Sequence, residues 1–492
     1  MKHLKKIVSL LLTAVMVLAM CIPVMADATT RYTITAPNNG HTYEIYQIFT
    51  GDLHEGTLSN VKWGANGKEN QGDPVDKTIL DELTAANTKT DTEKIDIITK
   101  YVTLTNPVAT IKNDETYSAE PGYYLIKDKD NSISGEETYT KYIVKVSKNL
   151  TIKPKADKPS FEKKLKDTND TTGETSGWQD SADYDIGDEI PFQLKGTVAS
   201  DYDNYKTYYF AFHDVEEAGL TFDKRTVKVY VDGTEISAGY KVKTDADKTH
   251  NDCTFEVEFT DLKNIASVHA GSVITVEYKS ILNSNAVLGE QGNVNKAKLE
   301  FSNNPNNEQV GRPDKPGETP WDNVIVFTYK VIINKTDKDG KALSGAEFTL
   351  EKVMQDSSKK KIKVIKSESG TTFEFKGLDD GDYILTETQT PDKYNTIDPI
   401  KFTVTANHDI IWEKQVRSTV LTKLSGNKVD GEITFTEKKD EGSLVANVVN
   451  MKGSQLPETG GIGTTIFYVV GVILMLGAGV LLVTKKRMSS NR

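Results

Sequence analysis

Three short alternating segments put reactive polar groups on faces that are otherwise apolar. Val331-x-Ile333-x-Lys335 sets an amine beside two aliphatic side chains, Tyr383-x-Leu385-x-Glu387 does the same for a carboxyl group, and Val448-x-Asn450 for a primary amide. Residues two apart on a strand share a face, so all three groups are directed toward a core. There, ionised and unpaired, they would be costly. Desolvation lowers the pKa of a buried amine and raises that of a buried carboxylic acid, so a neutral amine beside a protonated acid becomes accessible. A neutral amine is a nucleophile, and the acid can shuttle protons while polarising the amide. Held in fixed proximity, Lys335 and Asn450 could condense with loss of ammonia to an amide bond, with Glu387 as catalyst. The pattern alone also allows a plainer arrangement, in which Lys335 snorkels to the rim and Glu387 forms an ordinary ion pair.

A second chemical element stands near the C-terminus. Leu456-Pro457-Glu458-Thr459-Gly460 is followed by an apolar run from Ile462 to Val483 and then by Lys485-Lys486-Arg487. As a helix rising 1.5 Å per residue the run spans roughly 33 Å, enough to cross a bilayer's hydrocarbon core. The basic cluster holds the end on the cytoplasmic side. At the other terminus Lys2, Lys5 and Lys6 precede an apolar stretch from Ile7 to Met20 and a small-residue cleavage site at Val24-Met25-Ala26, the layout of a secretory signal peptide covering residues 1–26.

The elements that must position these groups are mostly strands. Val227 to Val231 runs into an Asp232-Gly233 turn, and Phe255 to Phe259, Val273 to Tyr278, Lys141 to Val146 and Thr371 to Phe375 alternate in the same way. Helices are expected only at Val75 to Ala86, with Ile79, Leu80 and Leu83 on one stripe, and at Thr92 to Tyr101. Many short strands separated by turns predict an all-β chain of tandem immunoglobulin-like sandwiches. Linkers near Pro154 to Pro159 and Pro305 to Pro320 divide it at about 27–155, 156–328 and 329–453, with the pentapeptide, apolar run and basic stub at 454–492. The second and third parts share a plan: an early strand bearing Lys and a final strand bearing Asn.

Composition narrows the function. Seven of the 60 Lys and Arg lie in the terminal segments, which hold no acid. The stretch from Asp27 to Thr459 therefore carries 53 basic residues against 71 acidic ones, a formal charge of −18. Such a balance lacks the basic footprint of a nucleic-acid binder. Once Cys21 leaves with the signal peptide, Cys253 is the single thiol, so no internal disulfide can staple the exported chain.

Several motifs carry a family resemblance. The C-terminal triad of pentapeptide, apolar run and basic stub resembles the sorting signal of Gram-positive surface proteins, in which a sortase cysteine cuts between Thr459 and Gly460 and passes the threonyl group to an amine. Tyr383-Ile384-Leu385-Thr386-Glu387-Thr388-Gln389-Thr390-Pro391-Asp392-Lys393-Tyr394 is similar to the E-box of Cna B-type domains of Gram-positive pilins. Lys335-x-Asp337 with Leu343-Ser344-Gly345-Ala346-x-Phe348 resembles that domain's opening. The resemblance implies a Lys335–Asn450 isopeptide bond with Glu387 as its catalyst. In the middle part, Phe161-x-Lys163-x-Leu165, His213-Asp214-Val215 and Asn295-x-Ala297-x-Leu299-x-Phe301 resemble the larger isopeptide domain of backbone pilins, implying a Lys163–Asn295 bond with Asp214 as catalyst. Lys164 and Asn293 are the competing choices. Tyr43 to Asp52 and Lys62-Trp63-Gly64 resemble the N-terminal domain of the same pilins. No Lys lies on its first strand, Arg31 to Ala36, so no cross-link is expected there, and Pro121 to Asp128, which echoes an E-box, is read as an ordinary strand.

Leu150-x-Ile152-x-Pro154-Lys155 resembles the pilin motif, whose lysine receives Thr459 of the next subunit; Lys153 stands where Tyr is usual, and Lys148 and Lys158 compete with Lys155. The resemblance thus implies the backbone subunit of a covalent surface fimbrium and not an enzyme. Its partners would be sortases, identical subunits, minor tip and base pilins, peptidoglycan and host surface ligands; no cofactor is implied. A monomeric wall-anchored adhesin is the alternative. No metal site is assigned: Asp337-Lys338-Asp339-Gly340 lacks the twelfth-position Glu of a calcium loop and reads as a turn, and the acidic stretch Asp167 to Asp183 could bind a metal but reads better as solvated charge.

Overall fold

The computed structural model describes residues 30–489 apart from 90, 134–136, 155–156, 409–411, 414–415, 418–420, 429–432 and 454–461. The expected signal peptide, Lys155 and the pentapeptide Leu456 to Gly460 lie outside the described residues. Strands make up 47% of the described residues, arranged as three successive β-sandwiches.

In the first, Tyr32–Thr35 lies between Thr116–Ala119 and Leu150–Thr151, while Thr42–His54, Thr57–Trp63, Ala109–Lys112, Gly122–Asp128 and Lys141–Val146 build the facing sheet. Ile34, Tyr43, Ile45, Tyr124 and Ile126 fill the space between. Two helices, Lys77–Ala85 and Asp91–Thr99, cover the far side of the larger sheet. Ile79, Leu80 and Leu83 pack there with Trp63 and Phe49. The first helix starts two residues later than the apolar stripe suggests because Asp76 is its N-cap, accepting from the Thr78 amide at 2.7 Å.

The middle sandwich pairs Ser160–Leu165, Glu189–Thr197, Val273–Leu282, Leu220–Val231 and Thr234–Ile236 in one sheet. The other holds Ser181–Asp183, Asp322–Phe327, Asn293–Phe301, Phe210–Glu216, Phe255–Phe259 and Lys241–Thr244. Asp322–Phe327 runs antiparallel to Asn293–Phe301, with Asn295 opposite Val324, so the polar, proline-rich stretch before it is an excursion from this sandwich. Phe192, Phe210, Phe212, Phe255, Phe259 and Tyr278 dominate the core.

The third sandwich sets Tyr329–Asp337 between Thr372–Leu378 and Ser443–Asn450. Facing it are Glu347–Val353, Gly381–Gln389, Ile400–His408 and Leu421–Lys428. First and last strands are parallel neighbours, Lys335 opposite Val448 and Asp337 opposite Asn450. Two parallel neighbours need a crossover between them, and the rest of the sandwich is that crossover. Beyond it stands the helix Ile462–Ser489, whose segment Ile466–Lys486 is long and apolar enough to cross a membrane.

Two buried sites that gather a lysine, an acid and an asparagine

In the middle sandwich the pleat directs Lys163 inward between Phe161 and Leu165, and the side chain is fully buried. Its Nζ lies 2.5 Å from Asp214 Oδ2 and donates to the Tyr278 hydroxyl at 2.8 Å. That hydroxyl donates to Asp214 Oδ2, also at 2.8 Å, and Asn295 Nδ2 lies 2.9 Å from it. Lys163 and Tyr278 come from one sheet; Asp214 and Asn295 come from the other. Burial lowers the Lys163 pKa, with Asp214 pulling against it, and burial raises that of Asp214. Both changes favour the neutral amine and neutral acid. Asp214 Oδ1 and Asn295 Oδ1 are buried without a hydrogen-bond partner, an expensive condition for two polar oxygens at rest.

The competing residues are occupied elsewhere. Lys164 points to the other face and meets Asp180 at 2.7 Å. The Asn293 amide is spent on backbone, its Nδ2 donating to the carbonyls of Val287 and Val326 and its Oδ1 accepting from the Val287 amide.

In the third sandwich Lys335 and Asn450 are again fully buried. Asn450 Nδ2 donates to both oxygens of Glu387, at 2.9 and 3.0 Å, and to the Asn395 carbonyl at 3.0 Å. Glu387 is steadied by Thr390 Oγ1 and the Ile397 amide, each at 3.2 Å, so the loop after its strand orients the carboxyl group. Lys335 Nζ donates to the carbonyls of Val448 and Thr336 at 2.9 and 3.0 Å. Burial lowers its pKa to about 8, against the pull of Glu387. Asn450 Oδ1, like Asn295 Oδ1, has no partner. Each site therefore holds an amine, an acid and a primary amide together in a dry core, the set that intramolecular transamidation requires.

The first sandwich is built differently. Lys127, the buried lysine on the strand Gly122–Asp128, is held by Glu44 at 3.0 Å and Asp130 at 3.1 Å, and Asp128 is engaged by His41 at 3.0 Å. These are compensated ion pairs with no amide carbon in the set.

Comparison with known proteins finds matches in three separate stretches of the chain. The model of the Gram-positive pilin backbone subunit 2, Cna-B-like domain, matches residues 186–305. A prealbumin-like fold domain model, SpaA, matches 329–417, and the LPXTG cell wall anchor motif matches 449–490. The trypsin-resistant surface T6 protein of Streptococcus pyogenes serotype M6 is 25% identical over 394 residues, covering 68% of this chain and 70% of that one. A solved structure of the T6 backbone pilin of the same serotype, described as modular and three-domain, shares the fold with a TM-score of 0.51 at 18% identity, covering 88% of this chain and all of the other. The chain carries the domains and the wall-anchor motif of a Gram-positive backbone pilin. This pilin is a surface protein anchored at the cell wall through its LPXTG segment.

Two residues of the middle site escaped the sequence reading. Glu216 accepts from Asn295 Nδ2 at 3.3 Å and from Ser280 Oγ; burial, then the nearby Asp214, pushes its pKa up to about 8. Tyr278 joins amine, acid and amide. Glu216 stands two residues beyond Asp214 on the same strand face, and Tyr278 ends an alternating run, so the period-2 pattern held a signal for both.

Proposed function

We propose that this pilin is the shaft subunit of a covalent homopolymer, stabilised by Lys163–Asn295 and Lys335–Asn450 isopeptide bonds and joined through Thr459 to Lys155 of the next copy. Its parts would be a signal peptide over 1–26, sandwiches near 27–155, 156–328 and 329–453, and the sorting segment over 454–492. The observation that carries the reading is the pair of dry lysine–acid–asparagine sets, each with an orphaned amide oxygen.

In the middle set neutral Lys163 Nζ attacks Asn295 Cγ while protonated Asp214 polarises Oδ1. A proton passes from Nζ through the acid to Nδ2, the C–N bond breaks, and ammonia leaves. Glu387 serves the same role between Lys335 and Asn450. Water, the competing nucleophile, is excluded by the core. Each bond closes a loop of more than a hundred residues, restricting the unfolded chain by about 5 kcal/mol on the loop-entropy argument. Between subunits, the Thr459 carbonyl would move from the sortase thioester to the Lys155 amine, releasing the sortase thiol. Final transfer to a peptidoglycan amine by a housekeeping sortase, and attachment of minor tip and base pilins, follow from the same chemistry.

The test is intact mass. Each Lys–Asn bond removes about 17 Da as ammonia, so two bonds give twice that deficit, and a chain at full mass ends the cross-link reading. Lys155→Ala should abolish the high-mass ladder of cell-wall extracts in hot detergent. A ladder that persists moves the linkage to another amine, such as the exposed Lys148 or Lys158. The absence of any ladder from the unsubstituted protein favours a monomeric adhesin.

A further inference from the structure

The acidic stretch Asp167 to Asp183 is solvated only in part: Glu174 is exposed and Asp167, Asp170 and Asp180 are half-buried. Asp183 is buried against the third sandwich, where Ser181–Asp183 meets the end of Ile400–His408. His408 Nε2 lies 3.4 Å from Asp183 Oδ1 and 3.7 Å from Asp167 Oδ2. On the other side of the ring Nδ1 lies 2.8 Å from Ser181 Oγ, which is also placed to donate to the His408 carbonyl at 3.3 Å. With the serine proton given to that carbonyl, Nδ1–H must be the donor to Oγ. The Nε2 lone pair of the neutral ring then faces two carboxylates, the disposition of a metal-binding imidazole oriented by a hydroxyl. Burial lowers the ring's pKa and Asp183, Asp167 and Asp380 raise it to a net increase, so a proton on Nε2 is the competitor of the ion, and it offsets only one of three negative charges. An independent feature points to the same spot. The Tyr329 side chain is fully buried, its hydroxyl makes no well-formed hydrogen bond although Asp183 is within its reach, and burial first, then Asp183, Asp380 and Asp167, push its pKa up.

We infer that Asp167, Asp183 and His408 form a divalent metal site of the Zn²⁺ or Mn²⁺ class at the junction of the middle and third sandwiches. The mixed imidazole and carboxylate donors suit those ions. The nitrogen–oxygen separations approach the roughly 3.3–3.5 Å edge of a tetrahedron with bonds near 2.1 Å. Two ligands come from one sandwich and one from the next, so a bound ion would tie them together. The neighbouring cluster at the same junction shows what happens where lysines supply the charge: Lys352 and Lys360 sit among Asp170, Asp185 and Asp188, with Lys360 Nζ 2.6 Å from Asp188 Oδ1. At His408 the ion would take that place.

The test is titration of the full chain, purified in detergent, with Zn²⁺ and separately with Mn²⁺, read by calorimetry and by metal content after dialysis. Saturable binding of one equivalent that His408→Ala and Asp183→Asn each weaken by at least tenfold supports the site. Ser181→Ala should weaken it by about tenfold through loss of ring orientation. Circular dichroism checks that the variants fold; should His408→Ala not fold, His408→Gln is read in its place. Failure of both ions to saturate the unsubstituted chain overturns the inference. So does binding that the substitutions leave unchanged, which would locate the ion elsewhere, for example at His213, His250 and Glu300.

Discussion

The middle and third sandwiches gather the same three functional groups by different topologies. In the middle one, lysine and asparagine come from opposite sheets, so a bond between them would staple the two layers. In the third, lysine and asparagine lie on parallel neighbouring strands of one sheet, and only Glu387 crosses from the other layer. The electrostatic setting differs accordingly. Lys163 lies against its acid, with a tyrosine and a second carboxyl group close by, whereas Lys335 is steadied by backbone carbonyls and its acid attends the amide. One reaction can thus be templated by a polar cluster or by strand register, provided that water is kept out.

The mechanical consequences also diverge. Asn450 ends the last strand of the third sandwich, so with the proposed Lys335–Asn450 bond in place, tension entering at Tyr329 and leaving after Asn450 would bypass nearly all its hydrogen bonds. Asn295 does not end its sandwich. The excursion after Phe301 and the strand Asp322–Phe327 follow it, and the strand is held by hydrogen bonds and by the packing of Val324 to Phe327, outside the loop that the proposed bond would close.

The largest effect that could break the comparison is on bond formation. Asp214→Ala and Glu387→Ala should each slow their own cross-link by about 10²–10⁴-fold. Freshly folded protein would then show a single ammonia deficit by mass, and retention of both deficits in either variant would remove that acid from the chemistry. Lys163→Ala and Lys335→Ala should each cost about 5 kcal/mol through the lost loop constraint. That corresponds to a fall of roughly 10–20 °C in the melting temperature of the affected sandwich, measured by calorimetry.

Pulling single molecules sharpens the topological contrast. The middle sandwich should lengthen by at most about 11 nm as the segment beyond Asn295 peels away, at about 3.4 Å per residue. The third should give almost no step. Equal steps would show that the lever arms drawn here are wrong.

A smaller effect lies in pH. In Asn450→Ala the amine stays free. Lys335 then binds a proton in the unfolded chain up to the ordinary lysine value near 10.4, but in the folded chain only up to about 8. The unfolded state holds more protons between those values, so stability of the third sandwich should rise with pH across that window. Denaturant midpoints at pH 7.5 and 10 would check the sign. The smallest effect is expected from Glu216→Gln, which keeps an acceptor for Asn295 and should slow the middle bond less than tenfold. A slowing equal to that of Asp214→Ala would make Glu216 the principal acid.

Much of the third site was legible because a strand's period of two converts sequence directly into facing. Lys335, Glu387 and Asn450 each follow apolar partners at that spacing, and all are buried. The middle site needed the family resemblance to select Lys163, Asp214 and Asn295 from their neighbours. Burial then separated Lys163 from Lys164, and backbone hydrogen bonds separated Asn295 from Asn293. Glu216 and Tyr278 were missed because each lies on a strand whose neighbour in space is remote in sequence. The burial of Asp183 was not legible for a related reason: charge density in a sequence looks the same whether the surface stays wet or meets another domain.

Alternation, turn residues and the terminal segments determined by themselves an exported, anchored chain of β-sandwiches, with reactive side chains turned inward, because those properties depend on local spacing and transfer free energy. Only the tertiary structure decided which sheet each reactive group belongs to, which carboxyl group it meets, and that Asp183 and His408 face each other across a domain junction. Those outcomes depend on strand order and on contacts between residues more than two hundred positions apart, which no local pattern encodes.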